Sequence, residues 1–299
     1  MKKRFLLSLF AFFSAIFSGE GLAATAVIDA VQMPAWLERA DRVQPLLPGQ
    51  QVLDGDRVRT GQGARAYIKL PEGSTVKLGE GALLTYQSAT QQDSIFKAAL
   101  NVAIGAFRFT TGVARKLQKR NIDIRVGNAT IGIRGTDVWG RSGKDGDLVM
   151  LIEGHVEVQP AQGEAVHLTQ SMDEFTAPKG GAANPLQKAS WDQFKQRARE
   201  TDIEPGDGAA RSGGKVRLLL GTFDVEQKSL ELYDRARAAG FAVKIRPIKS
   251  DRSADSSETA DYRFEVSLSG FSSNAEAAAA SASLKNAGID VDKSASTSK

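Results

Sequence analysis

The chain has 299 residues, 41% of them hydrophobic and 25% charged, with no cysteine and a formal net charge of +4. That length accommodates about two domains at ~100–200 residues each, and the composition is that of a folded protein with real cores. The absence of Cys excludes disulfides and thiolate-bound zinc. The small positive charge gives no reason to expect a nucleic-acid partner.

Lys2, Lys3 and Arg4 open the chain, residues 5–17 are mostly apolar, and Gly21, Ala23 and Ala24 close the stretch. A basic start, a short apolar run and small residues make a secretory signal peptide, expected over residues 1–24 with cleavage after Ala23 or Ala24. The run is shorter than the ~18 residues of a spanning helix. No second membrane segment follows, so no spanning helix is expected after cleavage.

Residues 25–178 read as one β domain. Residues 25–31 form a β-branched strand candidate, and Trp36 and Leu37 are expected to plug one end of the fold. Val58, Ala66, Ile68 and Leu70 alternate with Arg59, Arg65, Tyr67 and Lys69, a half-buried strand pattern. Leu83, Leu84 and Tyr86 make another short strand, and Phe107 and Phe109 alternate with Ala106 and Arg108. Many short strands broken by Gly turns predict an all-β sandwich or roll.

Residues 128–158 are its centre. Gly132 and Gly135 interrupt a β-branched run, as glycines do at bulges or close backbone approaches. The Gly135-Thr136 hinge separates extended segments at 129–133 and 136–139. Residues 141–147 have turn composition. Residues 148–152 are continuously apolar, as in a strand buried on both faces. A tight turn at Glu153-Gly154 then leads into Val156 and Val158.

Nothing in this domain suggests catalysis. His155 and His167 lie on strand candidates with no nucleophile elbow, and Asp147 and Glu153 are ordinary turn and strand-edge charges. No phosphate loop or metal-ligand cluster is visible, so no enzyme activity, cofactor or metal is expected. Arg115, Lys116, Lys119 and Arg120 form the strongest charge cluster. It reads as a solvated hairpin tip between Phe109 and Ile122, the alternative being an anion contact.

The run Gly-Ile-Arg-Gly-Thr-Asp-Val from Gly132, followed by Leu-Ile-Glu-Gly-His-Val-Glu-Val, resembles the heart of the FecR domain family. The upstream blocks Leu53-Asp54-Gly55-Asp56, Val58-Arg59-Thr60-Gly61 and Leu70-Pro71-Glu72-Gly73-Ser74-Thr75-Val76 support it. The resemblance spans about residues 27–178 and implies a bacterial envelope protein. The motif positions it singles out are Gly55, Asp56, Gly73, Gly132, Gly135, Thr136 and Gly154.

Residues 179–214 form a connector. Ser190 is placed to cap a helix from Trp191 to about Arg199, with Trp191, Phe194 and Ala198 on one stripe packed against the β domain. Residues 204–214, rich in Gly, Asp and Ser, read as a flexible linker and domain boundary.

Residues 215–292 contain an internal repeat. Residues 218–223 lead into an amphipathic helix ending at Ala239-Gly240; residues 264–271 lead into a second ending at Ala287-Gly288. The interval from Phe223 to Gly240 equals that from Phe271 to Gly288. Val225, Leu232, Ala236 and Ala239 share one helical face, as do Ala277, Ala280, Leu284 and Ala287. Two strand-helix-strand halves predict a small α+β ferredoxin-like domain with a four-stranded sheet. Residues 250–260 read as a polar loop between the halves and residues 293–299 as a disordered tail.

This repeat resembles the SPOR domain, an exported module that binds peptidoglycan glycan strands. Gly221-Thr222-Phe223, Gly270-Phe271, residues 262–266 and the two Ala-Gly helix ends carry the resemblance. It implies glycan binding on the open sheet face, where alternation places Arg217, Leu219, Arg263, Glu265 and Ser267. Leu219, Glu265, Ser267 and Gly270 depart from the family's usual residues, and Glu265 is expected to repel the lactyl carboxylate of muramic acid.

The expected protein is therefore periplasmic and non-enzymatic. It is held on peptidoglycan glycan strands by the SPOR-like domain, while the FecR-like domain contacts an unidentified envelope protein. The alternative is a periplasmic signalling component of a FecR-type regulatory pathway, working through a separate membrane partner.

Overall fold

The computed structural model describes residues 25–92, 95–112, 119–133, 135–249 and 262–291. The expected signal peptide, Arg115 and Lys116, the polar loop at 250–260 and the tail lie outside the described residues.

One strand, β9 (Ile95–Thr110), organises the β unit because it belongs to two sheets. Its first half lies in a sheet ordered β3 (Arg42–Pro45), β2 (Ala35–Arg39), β5 (Arg57–Thr60), β8 (Leu83–Gln92), β9, β10 (Lys119–Val126), β11 (Ala129–Ile133), β14 (Val156–Gln159) and β15 (Val166–Leu168). Its second half lies in a sheet ordered β1 (Ala26–Gln32), β6 (Arg65–Lys69), β7 (Thr75–Leu78), β9, β12 (Asp137–Ser142), β13 (Gly146–Glu153), β16 (Asp173–Pro178) and β17 (Gln187–Lys188). The short β4 (Gln51–Val52) joins the free end of β1. A strand passes between sheets only where its backbone can bend, and Gly105 supplies the bend with φ +94°. The inner faces interdigitate: Phe107 and Phe109 from one sheet and Leu84, Ile122, Ile124 and Ile131 from the other are completely buried.

The pairing of β10 corrects one expectation. It runs parallel to the first half of β9, from Ile95 opposite Lys119 to Val102 opposite Val126. Lys119 and Arg120 therefore sit within a strand, opposite Ile95 and Phe96, instead of at a hairpin tip. Strand β13 is covered on both sides, with Val149 and Leu151 in the sandwich and Met150 under a helix.

That helix is α1 (Trp191–Thr201). Ser190 caps it: the Ser190 hydroxyl accepts from Gln193 N while the Gln193 side chain accepts from Ser190 N, a reciprocal capping box. Its buried face overlaps the expected stripe in Phe194, which packs against the cluster of Trp139 and Met150, and departs from it at Trp191. Arg197 and Thr201 are buried, whereas Trp191 is 58% exposed and stacks on Phe194 at 5.0 Å. The register is set by what lies beneath. Trp139 is fully buried under α1, and the Arg197 guanidinium lies over its ring at 5.5 Å.

The C-terminal unit comprises β19 (Val216–Phe223), α2 (Glu226–Ala238), β20 (Lys244–Lys249), β21 (Tyr262–Phe271) and α3 (Asn274–Asn286). Its strands run in the order β20–β21–β19, all antiparallel. The expected fourth strand is not formed by residues 289–291. Ile289 N donates to Leu284 O at 3.0 Å and Gly288 N to Lys285 O, so the helix end takes the amides that a strand would need. Val225 is 53% exposed rather than packed with Leu232 and Ala236.

Residues 204–214 are not a flexible linker. They contain β18 (Ala209–Arg211), which pairs with β1 on one side and, through Ala210, with Phe271 of β21 on the other. The larger sheet thus continues into the C-terminal unit, and one apolar cluster runs through both. At a second contact, Ala242 N donates to Met33 Sδ and Ala35 N to Gly240 O. A Cβ on Gly240 would lie 2.6 Å from the Trp36 ring. Trp36 therefore sits at the seam between the units, with Arg59 4.1 Å above its ring, while Leu37 is completely buried.

Candidate functional site

The sheet face turned away from α2 and α3 carries the residues expected to meet a ligand. Leu219 lies opposite Ser267, which lies opposite Lys244; Thr222 lies opposite Glu265, which lies opposite Arg246. The structure brings Arg217, Leu219, Glu265 and Ser267 together and adds Arg246. Glu265 is not a projecting charge: its side chain is only 12% exposed. Its Oε2 accepts from Arg217 at 2.8 Å and from Arg246 at 2.9 Å. Burial pushes this carboxyl up, but the two guanidinium hydrogen bonds more than offset it and hold it below its ordinary 4.5. Its charge is thus matched at short range by Arg217 and Arg246. Arg263 Nε donates to Asp224 Oδ1 at 3.0 Å near the rim, and Ser267 is buried. Arg246 was legible as the outward neighbour of Lys244 in β20, but its partner Glu265 lies on a strand that only the fold brings alongside.

The motif residues of the β unit serve turns and clasps. Asp56 is almost completely buried, accepts from Leu53 N at 2.7 Å, and is gripped by Arg39 through Nε and Nη2. Gly55 before it has φ +81°. Thr60 Oγ1 donates to Gly79 O at 2.6 Å and accepts from Ala82 N at 2.8 Å. Gly73 turns β6 into β7 with φ +96°. Thr136 N donates to Thr111 Oγ1 and Thr111 N to Thr136 O, which clasps the segment after Gly135 to the end of β9. A Cβ on Gly154 would lie 2.7 Å from Gly135 O, so the two turns pass in contact. In the C-terminal unit Gly221 marks a register shift in β19, Phe223 is half-buried, Gly270 has φ +100° and Phe271 is completely buried.

A charged network fastens the connector to the larger sheet. Arg108 bonds both oxygens of Asp137, at 2.9 and 2.8 Å, and faces Asp202, which Lys77 contacts at 2.6 Å. Ile203 N donates to the Tyr67 hydroxyl at 2.6 Å, and burial pushes that phenol up to about 12. Asp147 does not meet Glu153. It accepts from the Ser142 hydroxyl, Asn128 N and Lys179, which shapes the turn between β12 and β13. Asp137, Asp147 and Asp202 thus each have structural partners.

No helix among the described residues is long and apolar enough to cross a membrane. No curated protein matches the chain. Two crystal structures of a candidate anti-sigma factor from Parabacteroides distasonis ATCC 8503 are similar to it at 14% identity, with TM-scores of 0.39 and 0.40; each comparison covers 62% of this chain and 75% of the other. Likeness at that level says nothing about what this chain does. Residues 56–157, from Asp56 just before β5 to Glu157 in β14, match the model of the FecR protein family.

Proposed function

We propose that this chain is an exported, non-enzymatic periplasmic protein that takes part in FecR-type regulatory signalling. It acts by binding another envelope protein, and a separate membrane partner relays the signal. The match of residues 56–157 to the FecR family carries this reading. That stretch includes both halves of β9 and the clasp between Thr111 and Thr136, so it is the core of the β unit. Deleting the gene should alter transcription of the genes under one envelope-responsive sigma factor, and restoring it should reverse the change. An unchanged transcript profile under envelope stress would overturn the proposal.

A second reading, attachment to peptidoglycan glycan strands through a SPOR-like module, is favoured by one observation. Residues 216–286 follow the order strand, helix, strand, strand, helix, with the strands antiparallel in the order β20–β21–β19. The paired state of Glu265 governs how its sheet face would meet an anionic polymer.

A further inference from the structure

The two histidines of the chain lie in one groove. It has a volume of about 410 Å3 and opens on the solvent face of the sheet formed by β10, β11, β14 and β15. One rung across that face reads Asp123, Gly132, Glu157, His167. His155 stands two residues before Glu157 on the same side and also lines the groove, as do Asn121 and Thr169. Gly132 leaves a gap in the rung, since a Cβ there would meet nothing within 4 Å. His167 Nδ1 already lies 3.9 Å from Glu157 Oε2.

We propose that His155, Glu157 and His167 bind a divalent transition-metal ion, with zinc as the fitting case. Two imidazoles and one carboxylate are a donor set suited to zinc, which accepts a water as fourth ligand. The spacing suits it as well. Glu157 and His167 are directly opposed, about 5 Å apart at Cβ, and His155 immediately precedes β14 and lines the same groove. The gap at Gly132 leaves room for the ion's water, with Asp123 on its far side to accept a hydrogen bond from it. Among the described residues no three His, Asp or Glu side chains are yet gathered around a point. All three side chains are exposed, and strand pairing fixes the Cβ positions of Glu157 and His167. Binding requires side-chain rotation to bring the donors together. The ion would tie the edge strand β15 to β14. The chain has no Cys and no third His, so it offers no competing site of the same strength.

The test is calorimetric titration of the mature protein, with any affinity tag removed, using zinc chloride and, separately, calcium chloride. One zinc per chain is expected, with no response to calcium. His155→Ala and His167→Ala should each weaken zinc binding by about tenfold or more, and Glu157→Gln by a smaller factor. All three positions are exposed, so unchanged melting of the metal-free variants is expected and would establish that they fold. Zinc should also protect both imidazoles from acylation by diethyl pyrocarbonate. The proposal is overturned by no zinc binding up to about 1 mM, or by binding that survives in the double variant His155→Ala/His167→Ala.

Discussion

Glu276 of α3 accepts a hydrogen bond from Gly208 N at 2.7 Å. The same carboxylate takes Ala209 N at 2.9 Å and Gly206 N at 2.7 Å. A carboxylate that is almost completely buried needs such donors, and the amides of Gly206, Gly208 and Ala209 need an acceptor in turn. The pairing holds β18 against α3 and makes the connector part of the core. Glu276→Ala should cost about 2–3 kcal/mol, the value of charged hydrogen bonds lost with their donors left buried. Glu276→Gln, which keeps an acceptor, should cost less. Denaturant melts give the energies, and limited proteolysis should cut within residues 204–214 in the alanine variant first. Equal protease resistance in both variants and the parent would refute the role.

Two glycines separate backbone strain from crowding. Gly135 has φ +116° with nothing near a built Cβ; Gly105 has φ +94° with Ala82 Cα only 2.4 Å from one. Gly135→Ala should therefore destabilise by about 1–2 kcal/mol from conformation alone. Gly105→Ala adds a backbone clash at the bend of β9 and should cost about 3 kcal/mol or more. Thermal melts that rank the two in the opposite order would contradict this account.

Arg197 and Glu174 are both buried, and they pair across α1 and β16. Removing one member leaves an uncompensated buried charge. Arg197→Met should cost about 3–5 kcal/mol, and adding Glu174→Gln should recover part of that loss. If the double variant is no more stable than Arg197→Met, the pair is not coupled as the geometry requires.

Local signals were read well where they close over a few residues. The capping box of Ser190 and Gln193 is complete within one turn, and the alternation around Phe107 and Phe109 follows from the strand period. Non-local choices were not legible. Nothing near Ile95 or Lys119 states that β10 runs parallel to β9, because the partner is chosen by the two-sheet core. The Gly- and Asp-rich stretch at 204–214 has the composition of a linker, and its order comes from Glu276, many residues away. The helical stripe at α1 holds at Phe194 but not at Trp191, since the surface beneath α1 takes Arg197 instead. Glu265 illustrates the same limit at the candidate site. Alternation placed it on the outer face, yet only strand order reveals Arg217 and Arg246 on either side.

Tyr86 gives a test at the alkaline end. It is buried, its hydroxyl has no hydrogen-bond partner among the described residues, and burial with Glu72 and Asp54 nearby pushes the phenol up to about 12. Above its ordinary 10, the unfolded chain loses this proton while the folded chain keeps it, so stability falls as pH rises from 10 towards 12. Tyr86→Phe should reduce that fall. At neutral pH it should leave stability unchanged or raise it by about 1 kcal/mol, because an unpaired buried hydroxyl is removed. A clear loss of stability at pH 7 would show that the hydroxyl has a partner in solution.

Glu265 gives the test at the acid end and decides the peptidoglycan reading as well. Its folded carboxyl titrates below the ordinary 4.5. The stability it contributes is therefore present above that value and lost as pH falls through the folded one. Glu265→Gln should flatten the pH dependence of melting below about pH 4.5. The same change frees Arg217 and Arg246, both now donating to one oxygen. If the face binds glycan strands, the full chain should be recovered weakly on amidase-treated sacculi and released by salt, since exposed charges are screened. Recovery should rise in Glu265→Gln, where two guanidinium groups become available to muramic acid carboxylates, and fall again when Arg217→Ala is added. Absence of recovery for both the parent and Glu265→Gln would remove peptidoglycan as a partner and leave the FecR-type signalling reading alone.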